Sequence, residues 1–399
     1  MGLDDFRGAS VGLLQSGGLS SMAVGVWLRE QGVPTRHCIA DLGQAGAAET
    51  TALAAALTEF GAQVTVVDLR ARMADVAADI LRYHARHDGG YWNTTSASRF
   101  VLVDELGPRL LRDGCEVLAH GCVGGGNDQR RFARYASRLT PAPRVYAPWA
   151  DPAALSRFPD REAMLKAVSE HGLPLDPGSD GDRSTDANIA GVSHESAELE
   201  DLSTPVTQVR PRWSNRASES PDQPEAVTVT FERGHVVDVD GSGPVPLAWL
   251  ERCNEVGARH GVWLRDVVER RIIGTVCRGV YEAPGLELLE RAWSRVLQAS
   301  LDTAGRELYH RLASDLGAAM YEARWLEPAA DAARAAIDVL LADVSARVTL
   351  IAHRGSVQVS AVDIDGRVPR QTRFGSGGNR WSVPAAGSHP GAVDHSHSI

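Results

Sequence analysis

The chain has 399 residues, with 41 Lys plus Arg against 51 Asp plus Glu and a formal net charge of -10. Lys166 is the only lysine and stands in Met-Leu-Lys-Ala, so the Gly-Lys-Ser/Thr end of a Walker-type phosphate loop is excluded, and Lys166 itself reads as a solvated helix residue. An acidic balance with no Arg-rich block alternating with aromatics speaks against a nucleic-acid partner, and no apolar run approaches the roughly 20 residues of a membrane helix.

In chain order, Val11 to Gln15 is a short apolar strand ending in Ser16-Gly17-Gly18, followed by a helix with Met22, Val26 and Trp27 on one face that stops at Gly32. Cys38-Ile39-Ala40 predicts a second strand, Ala47 to Phe60 a helix, and Val64, Val66 and Val67 a third strand. Two more helical stretches lead to a fourth strand, Glu116 to His120, which runs into Gly124-Gly125-Gly126; Arg144 to Ala147 is a fifth. Strands separated by helices of this length imply a parallel sheet with right-handed crossovers, whose ligands sit beyond the carboxyl ends of the strands. Both glycine turns lie at such ends and are expected to face one cleft.

After about residue 170 the texture changes. Residues 174–224 are rich in Pro, Ser, Asp and Gly around an organised core, Ser184 to Asp201. Two hairpins are predicted, Val227–Glu232 with His235–Asp240 and Arg347–His353 with Ser356–Val362, and helices over 247–260 and 285–343. From Arg367 onward Gly, Ser, Pro and His dominate, and a disordered tail is expected, in which His389, His395 and His397 make no metal site. The resulting organisation is 1–170, 171–366 and a tail of 367–399. The five cysteines (Cys38, Cys115, Cys122, Cys253 and Cys277) form no CxxC pair, and the acidic N-terminus has no signal-peptide pattern; reduced thiols in a cytoplasmic protein follow.

Two turns carry the chemistry. At Ser16-Gly17-Gly18 the backbone can approach an anion closely, the helix dipole favours phosphate, and the hydroxyls of Ser16, Ser20 and Ser21 add donors. Three consecutive glycines at 124–126 are a poor structural choice because each costs backbone entropy, so they read as a backbone cradle. Asn127 and Asp128 then cap a helix, with Arg131 one turn in.

Together, Ser-Gly-Gly-Leu after a strand, Ala40-Asp41-Leu42-Gly43-Gln44, His120-Gly-x-x-Gly-x-Gly-Asn-Asp-Gln-x-Arg-Phe132, Ala147-Pro148-Trp149, Ser193-His194-Glu195 with Leu199-Glu200-Asp201, and Arg278-Gly279-Val280-Tyr281-Glu282 resemble argininosuccinate synthase, colinearly from about residue 10 to 360. The resemblance implies an α/β nucleotide-binding domain of the pyrophosphatase-loop, adenine nucleotide alpha hydrolase-like type, followed by an α+β synthetase domain. It implies that ATP, with Mg2+, adenylates the ureido oxygen of citrulline with release of pyrophosphate, after which the amine of aspartate displaces AMP. It also implies a homo-oligomer, a dimer or tetramer, with small amino acids as its partners. A urea carbon is a poor electrophile, so activation and proximity should dominate over acid–base work.

Carried over position by position, ATP contacts fall on Leu14, Ser16, Gly17, Gly18, Ser20, Ser21, Ala40, Gly121, Gly124 and Gly126. Citrulline contacts fall on Tyr91, Ser96, Asn127, Arg131, Ser184, Ser193, Glu269 and Tyr281, where Arg131 suits a carboxylate and Glu269 an ammonium. The amine partner falls on Val123, Asn127 and Asp128, and the expected catalytic set is Arg99, Asn127 and Asp128, with no protein metal site.

Departures from the family pattern cluster on the phosphate and amine side. Ser20, Ser21 and Met22 replace Asp-Thr-Ser/Thr, Val123 replaces a threonine that helps hold aspartate, Gly125 replaces a lysine, and the long C-terminal helix of the family's tetramer is absent. Three readings remain: a ligase with an altered amine partner, an ordinary argininosuccinate synthase of arginine biosynthesis, and a silent paralogue that only binds amino acid or nucleotide.

Overall fold

The computed structural model describes residues 2–6, 8–44, 46–124, 126–174 and 183–365; Gly125 and the tail from Arg367 lie outside the described residues. Val11–Leu14 (β1), Leu19–Glu30 (α1), Thr35–Asp41 (β2), Ala47–Glu59 (α2), Gln63–Asp68 (β3), Arg70–Arg82 (α3), Thr94–Arg112 (α4), Val117–His120 (β4), Asn127–Ala136 (α5) and Arg144–Tyr146 (β5) alternate as expected. The five strands make one parallel sheet in the order β3-β2-β1-β4-β5. Every residue of β1 and β4 is buried, as the inner strands of a sheet covered on both faces must be. The chain first builds to one side of β1 and then, with β4 and β5, to the other. The crevice of this reversal lies between the carboxyl ends of β1 and β4, where Leu14 pairs with His120. Pro152–Arg157 (α6) and Arg161–Glu170 (α7) follow, and Lys166 is exposed on α7, 4.0 Å from Glu170.

The remainder comprises Arg183–Asn188 (β6), Gly191–Ser196 (β7), Glu225–Glu232 (β8), His235–Val239 (β9), Pro246–Arg259 (α8), Leu264–Arg270 (β10), Val276–Glu282 (β11), Pro284–Ser300 (α9), Thr303–Tyr321 (α10), Pro328–Leu341 (α11), Ser345–His353 (β12) and Ser356–Asp365 (β13). Two antiparallel sheets result, ordered β10-β11-β7-β6 and β13-β12-β8-β9. Both predicted hairpins form, and their Arg-Gly turns hold both residues at positive φ (Arg233 50° and Gly234 76°; Arg354 44° and Gly355 79°), the tight geometry that suits twisted strands. One buried cluster runs from Leu14 and Leu118 through α3 and α4 to Trp249, Leu289 and Trp293, so the parallel sheet and the helices α8 and α9 share a core.

Two features go beyond the expected pattern. The helical run over 285–343 is three helices: Asp302 caps α10 by accepting the Gly305 N–H at 2.7 Å, and Pro328 opens α11. Strands β10 and β11 escape the pattern reading because β10 buries Val267 and Glu269 while exposing Leu264 and Val268. An inward carboxylate with Leu264 and Val268 outward scrambles the usual alternation.

The irregular stretch before β8 is anchored by one carboxylate. Glu282, fully buried at the end of β11, accepts the backbone N–H groups of Arg212 (2.8 Å), Trp213 (2.8 Å) and Ser214 (2.7 Å), and lies 3.1 Å from His194 Nε2. Burial alone would raise its pKa, but the hydrogen bonds from His194, Arg212, Ser214 and Trp213 hold it below the ordinary carboxylate value. A depressed carboxylate contributes stability that is present above its unfolded pKa and lost as pH falls through its folded one. Glu282→Ala should therefore destabilise the fold at pH 7 by at least about 3 kcal/mol, since three donors lose their acceptor. Thermal unfolding followed from pH 7 to pH 3 should show the gap to the wild type narrowing as the pH drops; a gap that stays constant would refute the assignment.

Candidate functional site

The two glycine turns meet. Gly17, at φ 80°, turns the chain out of β1, and the α1 N-terminus opens at Gly18. Gly121 follows β4, and a Cβ placed on it would lie 2.6 Å from the Ser21 Cα and 2.7 Å from the Ser21 N. Only glycine permits that approach. Around it the Ser16 and Ser21 hydroxyls are 3.0 Å apart, Ser21 Oγ donates to the Gly18 carbonyl at 2.9 Å, and Gly18 N–H donates to Ser16 Oγ at 3.4 Å. Ser16 is exposed and Ser20 half-buried; Leu14 is buried at the end of β1, and Ala40 is buried at the end of β2. Gly124 lies against Trp149, whose carbonyl oxygen would be 3.0 Å from an added Cβ. Met22 does not reach this cleft: it is buried in the core beneath the sheet with Val24 and Val26.

Asn127 and Asp128 do not cap α5. Gly126 is its N-cap, and both side chains turn to partners across the cleft. Asp128 Oδ2 accepts from Arg99 Nη2 (2.9 Å) and Nε (3.2 Å), its Oδ1 accepts from Arg131 Nη1 at 2.8 Å, and Arg99 also pairs with Asp186 of β6. Burial would push Asp128 up, but Arg99 and Arg131 outweigh it and hold the carboxyl at about 2. Asp186, also penalised by burial and by Asp128, is raised from its ordinary value despite Arg99. The row therefore reads acid, base, acid, base, ending at Arg131, whose buried Nη2 has no hydrogen-bond partner among the described residues.

A second group faces this row. Glu269 is 5% exposed and accepts from Tyr281 Oη at 2.9 Å and Tyr321 Oη at 2.8 Å. Asn127 Nδ2 donates to Tyr321 Oη at 2.9 Å, and Asn127 Oδ1 accepts from the Ile272 N–H at 2.9 Å in the β10–β11 connection. Tyr91 stacks on Tyr281 with ring centroids 4.0 Å apart and accepts the Thr95 N–H at 2.8 Å; burial, chiefly, pushes its phenol up to about 12. Ser193 Oγ accepts the Asp186 N–H at 3.3 Å, Ser193 pairs with Tyr281 across the sheet, and Ser184 pairs with Glu195. Ser96, fully buried on α4, gives its hydroxyl proton to the Met320 carbonyl. Val123 stands apart from these polar groups, 57% exposed at the second turn. Cys122, beside it, is pushed up to about 12 mainly by burial, so it is a thiol and no nucleophile.

The sequence reading missed Tyr321, His87 and Asp186. Asp186 had a signal, since it lies two residues after Ser184 and so on the same strand face. Tyr321, on α10, and His87, stacked on it at 3.6 Å, had none, because an aromatic at a helix end looks like core.

Comparison with known proteins agrees with this geometry. Residues 10–174 match the model of the argininosuccinate synthase N-terminal HUP domain, and residues 183–368 that of the C-terminal domain. The argininosuccinate synthases of Edwardsiella ictaluri and Erwinia tasmaniensis are 34% and 32% identical to the chain over 346 and 348 residues, covering 86% of it and 84% and 85% of their own lengths. The chain belongs to the argininosuccinate synthase family. It is accordingly an ATP-dependent ligase, with the family's parallel-sheet domain preceding its antiparallel sheets. Among the described residues no helix is long and apolar enough to cross a membrane.

For this argininosuccinate synthase relative, Gly121→Ala should force the two turns apart, because the added methyl meets backbone rather than a flexible side chain. Affinity for a non-hydrolysable ATP analogue, measured by calorimetry, should fall by roughly tenfold or more, equivalent to about 1.4 kcal/mol. Unchanged affinity would show that the contact does not shape the nucleotide turn.

Proposed function

We propose that the chain joins a ureido amino acid, citrulline or a close analogue, to an amine at the expense of ATP. The observation that carries this reading is the buried Arg131 Nη2, without a hydrogen-bond partner among the described residues, beside Tyr321, whose phenol reaches Glu269. A zwitterionic head group satisfies both: its carboxylate answers Arg131 and its ammonium answers Glu269. Residues 1–170 would supply the nucleotide half and residues 171–366 much of the amino-acid half.

Bound ATP would supply an adenylate leaving group for the ureido oxygen, with pyrophosphate released and AMP later displaced by the amine. The chain's own residues orient and neutralise. The Ser16–Gly18 turn, with Gly121, Gly124 and Gly126, offers N–H groups to phosphate oxygens, and the hydroxyls of Ser16, Ser20 and Ser21 stand beside them. Among the described residues no three His, Cys, Asp or Glu side chains come together as a cation cage, so Mg2+ would be held largely by the phosphates of its nucleotide. Asp128, ionised throughout the working range, keeps Arg99 and Arg131 in place, and α5 presents Asn127 to the reacting groups. The hydroxyl and phenol groups of Tyr91, Ser96, Ser193 and Tyr281 would line the ureido side.

The amine site is where the chain departs from its relatives. Val123 presents exposed methyl groups where a hydroxyl donor would grip aspartate, and loss of a hydrogen bond to a charged group weakens binding by roughly 1.5–3 kcal/mol. An amine other than aspartate is therefore the favoured nucleophile, in a cytoplasmic homo-oligomer, a dimer or tetramer.

Pyrophosphate release should require ATP and citrulline together, and should be faster with another amine than with aspartate across a panel. Release with aspartate at the rate of the best amine would remove the altered-partner reading, and no release with any pair would remove the ligase reading. Val123→Thr should tighten aspartate binding about tenfold; no gain would contradict the role given to Val123.

A further inference from the structure

Tyr321 lies where the elements of the amino-acid site converge, although nothing in its local sequence marks it. It is the last residue of α10, and α10 is brought in by Gly317, whose added Cβ would lie 2.1 Å from the Arg86 carbonyl oxygen. Its phenol donates to Glu269 at 2.8 Å while accepting from Asn127 Nδ2 at 2.9 Å. Its carbonyl accepts from Arg131 Nε at 2.8 Å, and its ring lies under the Arg131 guanidinium, 4.6 Å from centroid to carbon. The opposite constraint comes from His87, stacked at 3.6 Å and 12°, whose Nε2 is 3.0 Å from the Arg270 carbonyl at the end of β10. Few side chains touch a cation, an anion and an amide at once.

We propose that Tyr321 is the positioning residue of the amino-acid site, setting Glu269, Asn127 and Arg131 in the mutual arrangement that a zwitterionic head group requires. The inference rests on the reading of that site as the amino-acid site. Its physical basis is the two roles of one hydroxyl. Donation to Glu269 leaves the phenol oxygen free to accept from Asn127, and the Ile272 N–H holds the other end of the Asn127 amide. Asn127 is thereby fixed in one orientation, with one N–H still available. Without the hydroxyl, Glu269 keeps Tyr281 and the weaker Cys277 thiol, 4.0 Å away, as donors, and the Asn127 amide is held at its oxygen alone, by the Ile272 N–H. The ring stacking and the carbonyl bond to Arg131 do not need the hydroxyl, so position and packing can be separated by experiment.

The test compares Tyr321→Phe with Tyr321→Leu. Citrulline binding is measured by calorimetry, ATP-analogue binding by the same method, and folding by thermal unfolding. Tyr321→Phe keeps the ring and should leave the thermal midpoint and nucleotide affinity as in the wild type, yet weaken citrulline ~10-fold or more, as loss of hydrogen bonds to a charged group predicts. In turnover the KM for citrulline should rise by a similar factor, with the KM for ATP unchanged. Ornithine and arginine, if bound, should lose the same factor, because they share the head group. Citrulline binding unchanged in Tyr321→Phe but lost in Tyr321→Leu would reduce Tyr321 to packing and overturn the proposal. A wild type that binds citrulline tightly and Tyr321→Phe weakly, but releases no pyrophosphate with any amine, would support Tyr321 while overturning the ligase reading. A wild type that binds none of the three amino acids would overturn both.

Discussion

Charge taken out of water must be matched, and much of this molecule's centre follows from that requirement. Asp128 is half-buried and remains a carboxylate because Arg99 and Arg131 flank it; Arg99 in turn is shared with Asp186. An isolated buried ion is far more costly than one in an alternating row, so α4, α5 and β6 are held in register by their side chains. The row is not closed. Among the described residues one guanidinium nitrogen of Arg131 has no acceptor, a cost to stability that a bound carboxylate would relieve under the proposed function.

The same helix links the two halves of the chemistry. Strands β1 and β4 are neighbours, so their turns arrive side by side, and Gly121 lets them touch at Ser21. The second of these turns runs directly into α5, which carries Asn127, Asp128 and Arg131. Under the proposed function, a phosphate cradle and an amino-acid cradle would thus be presented from neighbouring parts of the chain, with Gly121 at one end and Arg131 at the other. For a reaction whose difficulty is a poor electrophile, that adjacency is the main contribution a protein can make: reacting groups held close, in a setting of fixed dipoles and charges.

Support for the site comes from elements that carry no reacting group. Glu282 ties the irregular 212–214 segment to β11 one residue after Tyr281. Asn93, in the left-handed conformation at φ 58°, bonds the carbonyls of Ala85 and Gly317 and so locks the loop bearing His87 and Tyr91 to α10. The Arg270 N–H donates to Asp88 and its carbonyl meets His87, which fixes the end of β10 beside Glu269. The bonds of Asn93 to Gly317, and of Arg270 to His87 and Asp88, join residues more than 180 positions apart, and the whole set explains why the motifs Ser193-His194-Glu195 and Tyr281-Glu282 mix site residues with purely structural ones.

Local pattern alone determined the parallel sheet, the two Arg-Gly hairpins and the two phosphate-side turns, because strand length, glycine placement and helix stops are written within a dozen residues. The motif series likewise singled out Asn127, Arg131 and Tyr281, and the family resemblance added Glu269 by position. Only the tertiary structure decided that Met22 belongs to the core, that Gly126 rather than Asn127 caps α5, and that β10 is a strand with its carboxylate inward. It alone brought Tyr321 and Asp186 to the site. Those outcomes depend on what lies opposite a residue in space: a valine faces outward because a carboxylate with two tyrosine donors has taken the inward position, and a tyrosine at a helix end meets a carboxylate and an arginine only when two other elements deliver them to it.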